Sequence, residues 1–125
     1  MAMTTVGELM SRDLIAVEPS STVSEAAALM GSRKAGSVVV LRDGKLEGIF
    51  TERDVVRALA AYFDAAKHPV EEWMARDPKT VGLDTDESAA LDIMLENGFR
   101  HLPVVDGGSV VGMISIRDVT HHTPG

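Results

Sequence analysis

GIFTERD (residues 48–54) returns as GMISIRD (residues 112–118), an offset of 64 positions in a chain of 125. Each copy runs a strand-like apolar triplet into a hydroxyl residue, Thr51 or Ser115. An Arg-Asp pair, Arg53-Asp54 or Arg117-Asp118, then opens an apolar run of helical character. Sliding the sequence on itself by 64 positions aligns residues 6–55 with 70–119 without a gap, and 15 of the 50 pairs are identical. Average composition would give about three or four by chance. The identical pairs include Val6/Val70, Met10/Met74, Arg12/Arg76, Asp13/Asp77, Val17/Val81, Met30/Met94, Gly44/Gly108 and Gly48/Gly112. Two copies are too few for a solenoid, so the repeat predicts a closed pseudo-twofold pair.

The same order of elements is readable in both copies. LIAV (residues 14–17) is a short apolar strand leading into a Pro-Ser-Ser turn. Thr22 is placed to cap a helix, with Glu25 completing a capping box. Val23, Ala26, Ala27 and Met30 form a stripe at helical spacing. SVVVL (residues 37–41) reads as a buried strand, Asp43-Gly44 as a hairpin turn and LEGIF (residues 46–50) as its partner. Val55, Leu59, Tyr62 and Phe63 then mark a second helix, expected to run on until Pro69 ends it. In the second copy KTV (residues 79–81) is the first strand and Asp86 takes the capping position of Thr22. Ala90, Leu91 and Met94 form the stripe, and LPVVD and VVGMIS the hairpin. The last helix is cut to little more than one turn. The expected fold is α+β, two β-α-β-β-α repeats at residues 5–66 and 69–122, packed as a pseudo-twofold pair.

Composition narrows the function classes. The chain is 45% hydrophobic and 25% charged, as soluble globular domains are, and only 4% aromatic, so its core is aliphatic. A net charge of −7 with no basic cluster disfavours a nucleic-acid partner. The absence of cysteine excludes disulfides, thiolate catalysis and Cys-ligated zinc. No apolar run is long enough to span a membrane, and the first residues do not read as a signal peptide, so the expected location is cytoplasmic. No phosphate-binding Gly-rich loop, zinc-protease motif or nucleophile elbow occurs, and no nucleophile–base set is visible, so no catalytic residue and no metal site is assigned. His121-His122 reads as a solvated tail. Trp73, where the first copy has Leu9, reads as core or interface packing.

The sets GSVVVLRDGKLEGIFTERD and RHLPVVDGGSVVGMISIRD resemble the hairpin and helix start of cystathionine-β-synthase (CBS) domains, and a tandem pair of these is a Bateman module. The resemblance covers residues 5–119 and implies binding of an adenosine-containing ligand: AMP, ADP or ATP, or alternatively S-adenosylmethionine or NAD(H). It further implies a regulatory, non-enzymatic role, here as a stand-alone module signalling to an unidentified partner, with a homodimer formed through exposed apolar residues such as Val56, Tyr62 and Phe63. A ligand-free dimerisation scaffold is the alternative from a different class.

By the same resemblance, one site combines Thr51, Arg53 and Asp54 with Thr80, Val81, Arg100, His101 and Leu102. The other combines Ser115, Arg117 and Asp118 with Ile15, Ala16, Ser37 and Val38. Strand amides would read the adenine edge while aliphatic side chains sandwich its faces. The chemistry of the repeated junction suits such a ligand. A hydroxyl at a helix start bonds a phosphate oxygen, a carboxylate accepts from a ribose cis-diol, and an arginine offsets the phosphate charge. Arg100 and His101 make the first site the more cationic, whereas Gly36-Ser37 leaves the second less charged, so unequal affinities are expected. Thr-x-x-Asp before an apolar run is also an ordinary helix cap, and capping is compatible with binding.

Overall fold

The computed structural model of the protein describes residues 3–121. Two compact units are present, one comprising Ile15–Pro78, the other the segment ending at Leu14 together with the chain from Lys79 onward.

In the first unit the strands are β1 (Ala16–Val17), β2 (Ser37–Arg42), β3 (Lys45–Thr51) and β4 (Ala75–Arg76), in that spatial order. β1 runs parallel to β2, which forms an antiparallel hairpin with β3; β4 adds antiparallel to the outer edge of β3. The hairpin turn holds Asp43 at φ 51° and Gly44 at φ 79°. Two successive positive φ angles match the right-handed twist of the strands, which is why Asp-Gly was readable as a hairpin. Helices α2 (Val23–Arg33) and α3 (Glu52–Ala61) cover the sheet. Their buried stripes, Val23, Ala26 and Met30 from α2 and Ala58 from α3, meet Val38, Val40 and Phe50 of the hairpin in one core.

The second unit repeats this plan with β5 (Val81–Gly82), α4 (Glu87–Asn97), β6 (His101–Asp106), β7 (Ser109–Ser115) and α5 (Ile116–Thr120). β5 is parallel to β6, and β6 is antiparallel to β7. The two hairpins share even their irregularity, a register shift at Val40/Leu41 and at Val104/Val105. Ala90, Met94, Leu102, Val104 and Ile114 form its core.

The duplicated unit of sequence is offset from the compact unit of structure. Each hairpin is completed by the leading segment of the other repeat. Helix α1 (Val6–Leu9) and Met10 precede the first repeat's strands, yet Val6 and Met10 are buried in the core of the second unit. Correspondingly, Val70 and Met74 are buried in the core of the first. Backbone pairing follows suit. Ser11 bridges Met113 just as Ala75 pairs with Ile49, and Thr5 bridges Asp86 as Pro69 bridges Thr22. A guanidinium secures each segment: Arg12 donates to the Gly7 carbonyl at 3.3 Å and Arg76 to the Glu71 carbonyl at 3.1 Å. Four of the identical pairs found by self-alignment serve this one arrangement: Val6/Val70, Met10/Met74, Arg12/Arg76, and Gly48/Gly112, where the crossing segment leaves no room for a Cβ.

Three local expectations are corrected. Helix α3 stops at Ala61 instead of continuing towards Pro69. Tyr62 takes an extended conformation as C-cap, and a single 3-10 turn at Ala65–Lys67 follows. That early stop lets fully buried Ala65 enter the core and presents the His68 carbonyl to the Val23 amide at 2.9 Å. Thr22 accepts from the Glu25 amide, but the Glu25 carboxylate bonds the Thr22 hydroxyl, so the box is only half formed. Asp86 holds the capping position of α4 without a side-chain cap bond, and its carboxylate accepts from the Ser88 hydroxyl instead.

Candidate functional site

A strand-to-helix junction ends each hairpin. Thr51 closes β3 in extended backbone and is the N-cap of α3; Ser115 closes β7 and is the N-cap of α5. In both, a full capping box forms. The Thr51 amide donates to Asp54 Oδ2 at 2.9 Å, and the Asp54 amide donates to Thr51 Oγ1 at 3.3 Å. The Ser115 amide donates to Asp118 Oδ2 at 2.8 Å, and the Asp118 amide to Ser115 Oγ at 3.2 Å. Each junction is anchored to the adjoining strand as well. The first amide of the helix, Glu52 or Ile116, donates to the carbonyl of the residue before the hairpin, Gly36 at 3.1 Å or Arg100 at 2.8 Å.

The first unit contains Thr51, Arg53 and Asp54 of the one expected site and Ile15, Ala16, Ser37 and Val38 of the other. Ser37 is buried directly opposite Thr51, and Val38 lies opposite Phe50. Ile15 is buried beside them, its carbonyl accepting from the Val39 amide at 3.0 Å, while Ala16 is exposed on β1. Arg53 projects from the first turn of α3 and is exposed. Within the second unit Ser115, Arg117 and Asp118 adjoin Arg100, His101 and Leu102, with His101 opposite Ser115 and Leu102 opposite Ile114. Val81 is buried in β5; Thr80, just before it, is exposed, as are Arg100 and Arg117.

The two carboxylates differ in their surroundings. Asp54 is buried, at 7% exposure, and its second oxygen, Oδ1, accepts from Arg57 Nη1 at 2.7 Å. Asp118 is half-buried, and the corresponding position carries His121. Arg57 was not among the residues singled out from the sequence, although its i, i+3 spacing from Asp54 on a helix is the signal that marks it. Lys34 proves to be the left-handed C-cap of α2, as Gly98 is of α4.

Among the described residues no cluster of three or more potential ligands could hold a metal, and no helix is long and apolar enough to cross a membrane. His122 of the His pair lies outside the described residues.

The family model described as "CBS domain" matches twice, at residues 6–61 and 70–125. A 17.7 kDa protein of Acidianus ambivalens is 43% identical over 118 residues, covering 93% of this chain and 71% of its own length. The CBS domain pair of protein MJ0100, solved with 5′-methylthioadenosine and S-adenosyl-L-methionine, superposes with a TM-score of 0.87 at 27% identity, covering 95% of this chain and 94% of its own. CBSX2, solved with AMP, superposes with a TM-score of 0.78 at 27% identity and 93% coverage of both chains. The chain belongs to the CBS-domain family and is a tandem pair of CBS domains.

Proposed function

We propose that this protein is a regulatory sensor of an adenine nucleotide, AMP, ADP or ATP, acting without catalysis and signalling occupancy to a partner protein. The observation that carries the reading is the junction built twice. A hydroxyl and a carboxylate stand side by side at a helix start, next to strand residues with aliphatic side chains, Ile15 and Val38 in one unit, Val81 and Leu102 in the other. Such a junction recognises a ribose diol through the carboxylate and a phosphate through the hydroxyl. Related CBS pairs hold AMP in one case and S-adenosylmethionine with methylthioadenosine in another. The latter keeps S-adenosylmethionine, and with it NAD(H), as the alternative ligand class.

Ligand binding is tested by thermal unfolding with AMP, ADP, ATP, S-adenosylmethionine and NADH, with GMP as control. A ligand at a hundred times its Kd adds about 2.7 kcal/mol, several degrees for a domain pair of this length. The expected shift occurs with an adenosyl compound and not with GMP, and is lost in the Asp54→Ala, Asp118→Ala double variant. No shift at millimolar concentration with any of the five would leave the junctions as helix caps on a scaffold.

The same reading includes a cytoplasmic homodimer. Val56 and Leu59 are exposed one turn apart on α3, and Phe63, just beyond its end, is 98% exposed. Pairing of two such apolar faces removes them from water. Light scattering across a concentration series checks it, with Val56→Asp expected to leave a monomer.

A further inference from the structure

We propose that Arg57 gates the Asp54 carboxylate and couples its release to Trp73; the proposal rests on the adenosyl-ligand reading above. A carboxylate offers about four acceptor positions. Three are taken at Asp54: Oδ2 by the Thr51 amide at 2.9 Å and the Thr51 hydroxyl at 3.1 Å, and Oδ1 by Arg57 at 2.7 Å. A ribose cis-diol needs two. The Thr51 amide is fixed by the backbone of the cap, and while the Thr51 hydroxyl also stays on Oδ2 that oxygen is full, so a diol seated on Asp54 needs both positions of Oδ1 and competes there with Arg57. At Asp118, by contrast, the one side-chain acceptance among the described residues is from the Ser115 amide. Position 121 there carries His in place of Arg, so the second junction has no such gate.

Arg57 has a second contact that makes its departure visible. Its guanidinium carbon lies 5.9 Å from the centroid of the Trp73 ring. Trp73 is the only tryptophan of the chain, and its buried Nε1 has no hydrogen-bond partner. Tyr62 meets it edge-on at 6.1 Å. Trp73 directly precedes Met74 on the exchanged segment that completes this unit's sheet. A ligand that displaces Arg57 from Asp54 therefore perturbs the cation over Trp73, on the leading segment of the second repeat.

The test uses the full chain carrying Asp118→Ala, or Asp118→Asn should the alanine variant unfold, so that Asp54 alone is titrated. AMP and its 2′,3′-dideoxy analogue are compared by calorimetry; the two carry the same phosphate and differ in the diol. Arg57→Ala should raise the ratio of AMP to dideoxy-AMP affinity by about three- to five-fold, the worth of one partly exposed ion pair. Arg57→Lys should return the ratio towards its original value. Tryptophan emission of ligand-free Arg57→Ala should coincide with that of the AMP-saturated parent and move no further on adding AMP. AMP binding with an unchanged ratio overturns the gate and leaves the nucleotide reading standing. Binding that leaves Trp73 emission unmoved overturns the coupling to Trp73. No binding of AMP by the parent, by the variants or by the wild-type chain overturns the nucleotide reading and the gate together.

Discussion

Gly48 and Gly112 were legible in the sequence as an identity between repeats, but the reason for them was not. A Cβ on Gly48 would stand 2.6 Å from Met74 Sδ and 2.8 Å from the Ala75 carbonyl; one on Gly112 would stand 2.6 Å from the Ser11 carbonyl and 2.8 Å from Met10 Sδ. Backbone cannot yield as a flexible side chain can, so Gly48→Ala and Gly112→Ala should each cost about 1–3 kcal/mol, read as a lower urea midpoint at unchanged slope. A midpoint within error of wild type would show that the crossing segments are loosely held. The pair Lys34/Gly98 gives the opposite case. Both are left-handed C-caps, at φ 54° and 70°. A side chain there costs about 1–2 kcal/mol, less the extra chain entropy that glycine loses on folding. Lys34→Gly should therefore be neutral or stabilising by up to about 1 kcal/mol, and Gly98→Ala destabilising by about 1 kcal/mol, in the same denaturation assay. The alignment set Lys34 against Gly98 without showing why, because the conformation they share is a property of the backbone.

Elements defined by a local pattern were readable. The two hairpins, the stripes of α2 and α4, and the curtailed last helix stand where turn chemistry and spacing put them. The end of α3 was not readable, because Tyr62 and Phe63 continue the apolar count while their side chains remain 56% and 98% exposed. Periodicity reports where apolar residues fall, and the need to bury Ala65 decides where the chain turns. The candidate site was legible to a similar depth. Thr51, Asp54, Ser115 and Asp118 announce themselves by repetition, whereas Arg57 has no arginine counterpart in the second copy and so drops out of any argument from the repeat. The caps themselves carry a prediction. Thr51→Ala and Ser115→Ala each remove the side chain that accepts from the N3 amide and should cost about 1 kcal/mol. Thr51→Ser keeps the oxygen and should cost much less. Equal losses for alanine and serine at position 51 would mean that the threonine methyl matters there and the cap does not.

Self-alignment located both copies of the leading segment but could not show which unit each completes. The reason is the repeat itself: when Val6 matches Val70 and Met10 matches Met74, a segment packed on its own repeat and one packed on the other leave the same sequence pattern. Only the course of the chain distinguishes them, and here the segments are exchanged. The exchange has a consequence that a self-contained repeat would not share. Val6 is fully buried, and its core partners Val81, Ala90, Met94, Leu102, Val104 and Ile114 all belong to the second repeat. Val6→Ala removes two methyl groups from that core and should cost about 1.5–2.5 kcal/mol. Because cores open locally as cooperative units, the loss should be read first as faster amide hydrogen exchange in β6, β7 and α4, far along the chain from the substitution. The strands β2 and β3 of the mutated repeat should remain protected under conditions that favour local opening. Val70→Ala should reverse the pattern, exposing β2, β3 and α2 while β6 and β7 hold. Faster exchange of β2 and β3 in Val6→Ala, with β6 and β7 unaffected, would mean that each repeat keeps its own leading segment and would overturn the exchange.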